Sequence, residues 1–140
     1  MISRRTMAKL VTLHDANGEA IYPQTISDMD YSTSEQDTGC KWIDGKKIYR
    51  KVITVSNPSF SVADHSQAHG ISGFSRLVNL RTLFNLGWET TVWASADFLA
   101  QRGCSMRIDP TYIHWENTNS AIASFTGTLV FIIEYTKTTD

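Results

Sequence analysis

The last segment of the chain, ASFTGTLVFIIEYTKTTD (123–140), restricts the possible folds more than any other stretch. Phe125, Leu129, Phe131, Ile133 and Tyr135 fall on one side of an extended strand. The other side carries Thr126, Thr128, Val130, Ile132 and Glu134, so it is partly apolar too. A strand with two apolar sides belongs at the centre of a sandwich or against a neighbouring subunit.

Shorter segments repeat the period of two. SRLVNLRTLFNLG (75–87) sets Val78, Leu80, Phe84 and Leu86 opposite Asn79, Arg81 and Asn85, and FSVADH (60–65) alternates. SMRIDPTYIHWEN (105–117) reads as two short strands broken at Pro110. In KLVTLHDANGEAIYPQT (9–25), a turn cluster at 15–18 separates two apolar arms, which predicts a small hairpin ended by Pro23. GCKWIDGKKIYRKVITV (39–55) predicts a second hairpin. Its Asp44-Gly45 pair suits a type I′ turn, with Lys46, Lys47, Arg50 and Lys51 as solvated positions that blunt an edge. No segment keeps helical spacing for three turns. ETTVWASADFLAQ (89–101) comes closest, as a short helix or a strand followed by a loop. SDMDYSTSEQDTG (27–39) is polar and short of core residues, which reads as a linker or extended arm.

The predicted fold is all-β: an antiparallel, jelly-roll-like β-sandwich head with an extended N-terminal arm or hairpin. The expected organisation is an arm over 1–30, a linker over 31–39 and a head over 40–140. At 140 residues one domain is expected, and the low charged fraction of 19% suits exposed strand positions filled by Thr and Ser. A net charge of −1 argues against a dedicated nucleic-acid partner. No apolar run reaches the length of a membrane-spanning helix, so membrane insertion is not expected. MISRRTMAKLVTLHD lacks the apolar block of a secretory signal, which points to synthesis in the cytoplasm.

Residue patterns that carry chemistry are sparse in this chain. Cys40 and Cys104 are far apart and have no metal-ligand spacing, so two reduced thiols are expected. His65 and His69 have the separation of a helical metal pair, but on a strand they stand ~13 Å apart. Hydrogen-bonding roles near turns fit them better. His114 and Glu116 share one strand face, which suits a solvated polar surface better than an acid/base pair. Asp64, Glu89, Asp97, Asp109 and Glu116 are the acids a glycosidase would draw on, yet none has a distinctive context. GxSxG, phosphate-loop and GxGxxG patterns are lacking, so no catalytic residue, cofactor or metal is assigned. Trp42, Trp88, Trp93 and Trp115, with five tyrosines, are a large aromatic complement. Core packing accounts for some of them, and sugar stacking or a subunit contact for others. Trp88, Trp93, Trp115 and Tyr112 are the candidates for receptor contact.

YSTSEQDTGCKWIDGKKIYRKVI (31–53) resembles a segment of small phage virion proteins and of the C-terminal ends of tail-fibre and baseplate proteins. The resemblance rests on Tyr31-Ser32-Thr33, Gly39, Trp42-Ile43-Asp44-Gly45-Lys46, Ile48-Tyr49 and Lys51. It continues in Ala68-His69-Gly70-Ile71 and in the terminal Glu134–Asp140, EYTKTTD. LVTLHDANGEAIYPQT is similar to the attachment-side segment of phage fibre proteins, including head fibres. Together these stretches cover about half the chain, and Ser72 to Ser124 matches only loosely.

The resemblance implies a non-enzymatic head or tail fibre on the virion surface. It implies a homotrimer bound to other virion proteins (capsid, portal-proximal or baseplate) and facing a host surface glycan. Leu10, Leu13, Ile21, Tyr22 and Pro23 become candidates for attachment to the particle. Trp42, Asp44, Gly45, Tyr49, His69 and Gly70 become the structural motif. A capsid decoration protein without receptor binding is the competing expectation, and a small glycan depolymerase the third.

Overall fold

Among the described residues, apolar alternation punctuated by Gly, Pro and Asn gives ten strands in antiparallel pairs and little helix. The computed structural model describes residues 13, 14, 16–18, 20, 21, 30–86 and 93–140. The strands are β1 (Leu13–His14), β2 (Ala20–Ile21), β3 (Gln36–Lys41), β4 (Lys47–Ser56) and β5 (Ala63–Ala68). They continue as β6 (Phe74–Leu86), β7 (Trp93–Ser95), β8 (Cys104–Ile108), β9 (Tyr112–Asn117) and β10 (Gly127–Lys137). One helical turn and a half, α1 (Ala96–Ala100), follows β7 directly. Within the 89–101 segment, residues 93–100 are thus strand and helix in succession.

β1 and β2 pair with each other as the predicted N-terminal hairpin, with Gly18 at φ 82° in its turn. The other strands form a five-stranded sheet, β3-β4-β10-β6-β7, and a three-stranded sheet, β5-β9-β8. β10 lies at the centre of the larger sheet, as its two apolar sides require. Its inward groups Leu129, Phe131, Ile133 and Tyr135 are fully buried and meet Phe60, Phe84, Ile113 and Trp115 in one core. Its outward Ile132 is 9% exposed and lies outside that core. Among the described residues no helix is long and apolar enough to cross a membrane.

Four local expectations change. First, the 39–55 hairpin does not turn through a two-residue type I′ loop. Among the described non-glycine residues only Asn57 has a positive φ, so Asp44 does not adopt the conformation that type I′ demands. Instead Gly45 N–H donates to the Trp42 carbonyl (2.9 Å) and Trp42 N–H to the Lys46 carbonyl (2.8 Å). That is a three-residue loop, Ile43-Asp44-Gly45, closed by Gly45 in the left-handed region at φ 86°. Asp44 Oδ1 accepts from Lys46 N–H (3.0 Å), which steadies the loop.

A Cβ at position 45 would touch nothing within 4 Å, so the glycine is required by backbone conformation and not by space. Gly45→Val should therefore cost about 1–3 kcal/mol, and Gly45→Asn distinctly less, because asparagine tolerates this conformation. Urea unfolding of the two variants checks the order.

Second, the polar 31–39 stretch is not a free linker. Gln36–Lys41 is the edge strand β3, and the Ser32 carbonyl accepts Val52 N–H at 2.8 Å. The edge supplies backbone pairing even where side chains add no core. Third, the basic groups of 46–51 are not simply solvated, nor is β4 an edge. Lys46 Nζ donates to the Lys137 carbonyl (3.1 Å) and Lys51 Nζ to the His69 carbonyl (2.9 Å). Arg50 lies 4.6 Å over the Tyr31 ring, and Lys47 keeps an exposed pairing with Asp37. Fourth, β5 runs over Ala63–Ala68 and not over 60–65. Asn57 takes a positive φ and Pro58 offers no donor, so Phe60 reaches the core from an irregular segment.

Candidate functional site

The motif residues, scattered over a hundred positions of sequence, meet at one end of the sandwich. Antiparallel pairing sets Tyr49 opposite Tyr135, and their rings stack with centroids 6.0 Å apart. Tyr135 O–H donates to Glu35 Oε2 (2.6 Å), and Lys137 Nζ donates to Glu35 Oε1 (2.9 Å). Tyr49 O–H donates to Asp140 Oδ1 (3.0 Å). Burial, reinforced by the Asp140 hydrogen bond, pushes the Tyr49 phenol up to about 12. Burial and the Glu35 carboxylate raise the Tyr135 phenol further, so both remain protonated donors.

Phe74 bridges the Tyr135 ring and the buried His69 ring, and Thr138 N–H donates to the Gly73 carbonyl at 2.8 Å. His69 Nδ1 accepts Ile71 N–H (3.0 Å) while Nε2 faces the Asp109 carbonyl (3.0 Å), which assigns the ring proton to Nε2. Gly70 turns at φ 67° beneath Lys51, where a Cβ would stand 3.3 Å from Nζ. WIDGKxIYxK, AHGI and EYTKTTD are therefore parts of one interlocked cluster. Trp42 is half-buried, and Asp44 and Gly45 sit at the exposed hairpin tip.

A second cluster covers the outward face of the three-stranded sheet. Register places Asp64 opposite Glu116 and Ser66 opposite His114 on one side, with Ser105 and Arg107 on the other. Arg107 Nη2 donates to Asp64 Oδ2 at 2.7 Å, and Nη1 lies 3.6 Å from Glu116. His114 stands between two carboxylates, Nε2 2.7 Å from Asp109 and Nδ1 3.4 Å from Asp64. Asp109 also accepts Thr111 and Tyr112 N–H.

The hydrogen bond from His114, then those from the two amides, holds the Asp109 carboxyl well below the usual carboxylate range. The Arg107 hydrogen bond lowers Asp64 in the same way. Three of the five acids a glycosidase would draw on thus share one face. Two of them are held toward permanent ionisation, the opposite of what a general acid needs.

These shifts fix the sign of the acid response. A carboxyl depressed in the fold adds stability above its ordinary value near 3.8, and loses it as pH falls toward the depressed value. Asp109→Asn should lower stability at neutral pH and flatten the loss of stability below about pH 4. Urea midpoints at neutral and acid pH test both halves.

The receptor-contact candidates separate. Trp115 is 4% exposed and is withdrawn from that role. It alternates inward on β9 with Ile113 and Asn117, packs 6.1 Å from Phe131 and donates from Nε1 to the Ser59 carbonyl. Trp93 (52% exposed) and Tyr112 (43%) do face solvent. They stand on different sheets, Trp93 opposite Asn85 on β6 and Tyr112 opposite Ala68 on β5, and so do not converge. Trp88, Leu10, Tyr22 and Pro23 lie outside the described residues. Leu13 and Ile21 are paired partners in the N-terminal hairpin.

His65 and His69 do not share a ligand. His65 Nε2 lies 2.9 Å from the Ser61 carbonyl, and His69 is held as described above. No group of three or more metal-ligating side chains forms among the described residues. Sequence reasoning paired His114 with Glu116 and counted Asp64 and Asp109 among candidate acids, but it missed Arg107 and the meeting of these groups, because cross-strand register alone brings them together. No protein-family model, no curated protein and no solved structure matches this chain.

Proposed function

We propose that the chain is a non-enzymatic bacteriophage virion protein, a trimeric head or tail fibre whose N-terminal 1–30 segment attaches to the particle and whose β-sandwich faces the host. The observation that carries this reading is the interlocking of the fibre-like motifs. Three stretches far apart in sequence support one another through Tyr49–Tyr135, Lys46–Lys137 and Lys51–His69 contacts. Contacts of this kind are what a shared folded module needs.

Self-association draws support from the outward face of the larger sheet. Val52, Leu83, Val130 and Ile132 lie there in neighbouring register with Trp93 at the β7 edge. Leu83 (37%) and Trp93 remain exposed among the described residues, and covering such a face favours a second copy. A trimer would also multiply weak receptor contacts into useful avidity.

Deleting the gene from the phage tests the reading. Loss of adsorption with intact particles supports the fibre. Particles that adsorb normally but break easily would favour capsid decoration. A monomer by light scattering at micromolar concentration would remove the trimer.

A further inference from the structure

β6 pairs with β10 from end to end, but β7 pairs with it only at Leu83–Asn85 before the chain turns away as α1. From Phe74 to Thr82 the other edge of β6 has no neighbouring strand among the described residues, and no other strand there leaves so long an edge unpaired. Ser75, Arg76, Leu77, Asn79 and Arg81 are exposed along it. At the β7 end a hollow of about 200 Å³ is lined by four consecutive β6 residues, Leu80 to Leu83, with Asp97 across from them. Consecutive strand side chains point to opposite faces, so four in a row border one hollow only where the backbone edge itself opens onto it.

The side chains along this edge have two characters. Leu80 stands opposite the inward Ile133 and packs against the core, yet is only partly buried. Met106 and Ile108 of β8, the outer strand of the smaller sheet, pack against the core in the same half-covered way. Leu80 and Met106 line one hollow, so the two sheets part along β6 and β8 and leave the core incompletely covered there. The outward side is basic, with Arg81 opposite Ile132 and Arg76 opposite Thr136. Neither arginine forms an ion pair among the described residues, with Asp97 or with any other acid.

An open edge offers the same backbone hydrogen bonds to every extended segment, so side chains decide which segment it takes. Two β6 edges do not suit one another. Their two-fold pairing would crowd two arginines from each copy onto one strip, with Arg76 directly opposite Arg81 when the register is centred between Val78 and Asn79. Carboxylates beside the arginines reverse the sign of that contact, and apolar side chains between them would meet Leu80, Met106 and Ile108. We infer that the β6 edge takes an added strand from a different protein. The strand is an extended segment of about five or six residues that alternates apolar side chains inward with carboxylates outward. Such pairing is independent of the fibre reading.

The test titrates the isotopically labelled full chain with a capped peptide of about six residues that alternates valine and glutamate. Amides between Ser75 and Thr82 that point away from β10 should shift, and those bonded to β10 should not. The same peptide with lysine for glutamate should bind about tenfold more weakly or worse, and Arg76→Glu with Arg81→Glu should reverse that preference. Both arginines are exposed, so the double variant should keep the fold. Methylating alternate peptide amides should abolish binding in one phase of the alternation and spare it in the other, which charge attraction alone would not do. If the glutamate peptide moves none of these amides, if the lysine peptide binds as well, or if both methylated forms behave alike, the inference is overturned. Shifts of the same amides with protein concentration and no peptide would make the occupant a second copy, and would overturn it too.

Discussion

Replacing Phe131 by alanine should cost the fold about 3–5 kcal/mol, on the order of the whole stability of many domains this size. Phe131 lies on the central strand with no exposed surface, between Ile53 of β4 and Thr82 of β6. Its ring packs against Trp115 from the opposite sheet, so it is a point where the two layers meet. Alanine would lose the transfer energy of the ring and leave a cavity that neither sheet can close without breaking its ladders. Phe131→Leu keeps most of the volume and should cost less than half as much. Urea unfolding followed by tryptophan fluorescence reads the effect directly, because Trp115 reports from the contact itself. A loss below about 1 kcal/mol for the alanine variant would contradict the close packing of the two layers.

Tyr135→Ala should be comparably severe, at about 3–5 kcal/mol, and Tyr135→Phe should divide that loss into its parts. The ring is fully buried and contacts both Tyr49 and Phe74, so alanine empties the centre of the motif cluster. Phenylalanine keeps the ring and removes only the hydrogen bond to Glu35, which Lys137 still partners. A bond to a charged acceptor contributes about 1.5–3 kcal/mol, so the conservative variant should lose up to that amount.

The pH dependence separates this bond from mere packing. A phenol whose pKa is raised in the fold stabilises it fully below the ordinary tyrosine value near 10, and that stability is lost as pH rises. Tyr135→Phe should therefore unfold less steeply with pH in the alkaline limb than the parent chain. An unchanged alkaline limb would mean that Tyr135 does not remain protonated in the fold.

Strand periodicity was written plainly enough in the chain to give the fold class. The alternation in 75–87 and 125–135 marks core sides directly, because a strand's period of two assigns each side chain a face without reference to its neighbours. The break at Pro110 and the chain reversals at Gly18 and Gly45 were legible for a related reason: proline and glycine act through the local backbone. The form of the Gly45 turn was less legible. Whether two or three residues close the loop depends on how β3 and β4 align, and the pairing decides that.

Burial of the aromatics and the meaning of the polar residues were not legible. Trp93 and Trp115 look alike as letters, yet one stands at the edge of the larger sheet and the other inside the smaller. The lysines of 46–51 suggested a solvated strip, but carbonyls supplied by β10 and by the His69 turn hold two of them. Glu35 looked like linker and proves to be the acceptor for Tyr135, one hundred positions away.

By itself, then, the sequence determined that this chain folds as antiparallel strands around a core that β10 must cross. Local alternation and local turn chemistry suffice for that. The tertiary structure alone decided which residues act together: the Arg107–Asp64–His114–Asp109 network and the motif cluster around Tyr135. Each is made by strands that are distant along the chain. Their register is settled by the burial of whole sheet faces and cannot be read from any short stretch.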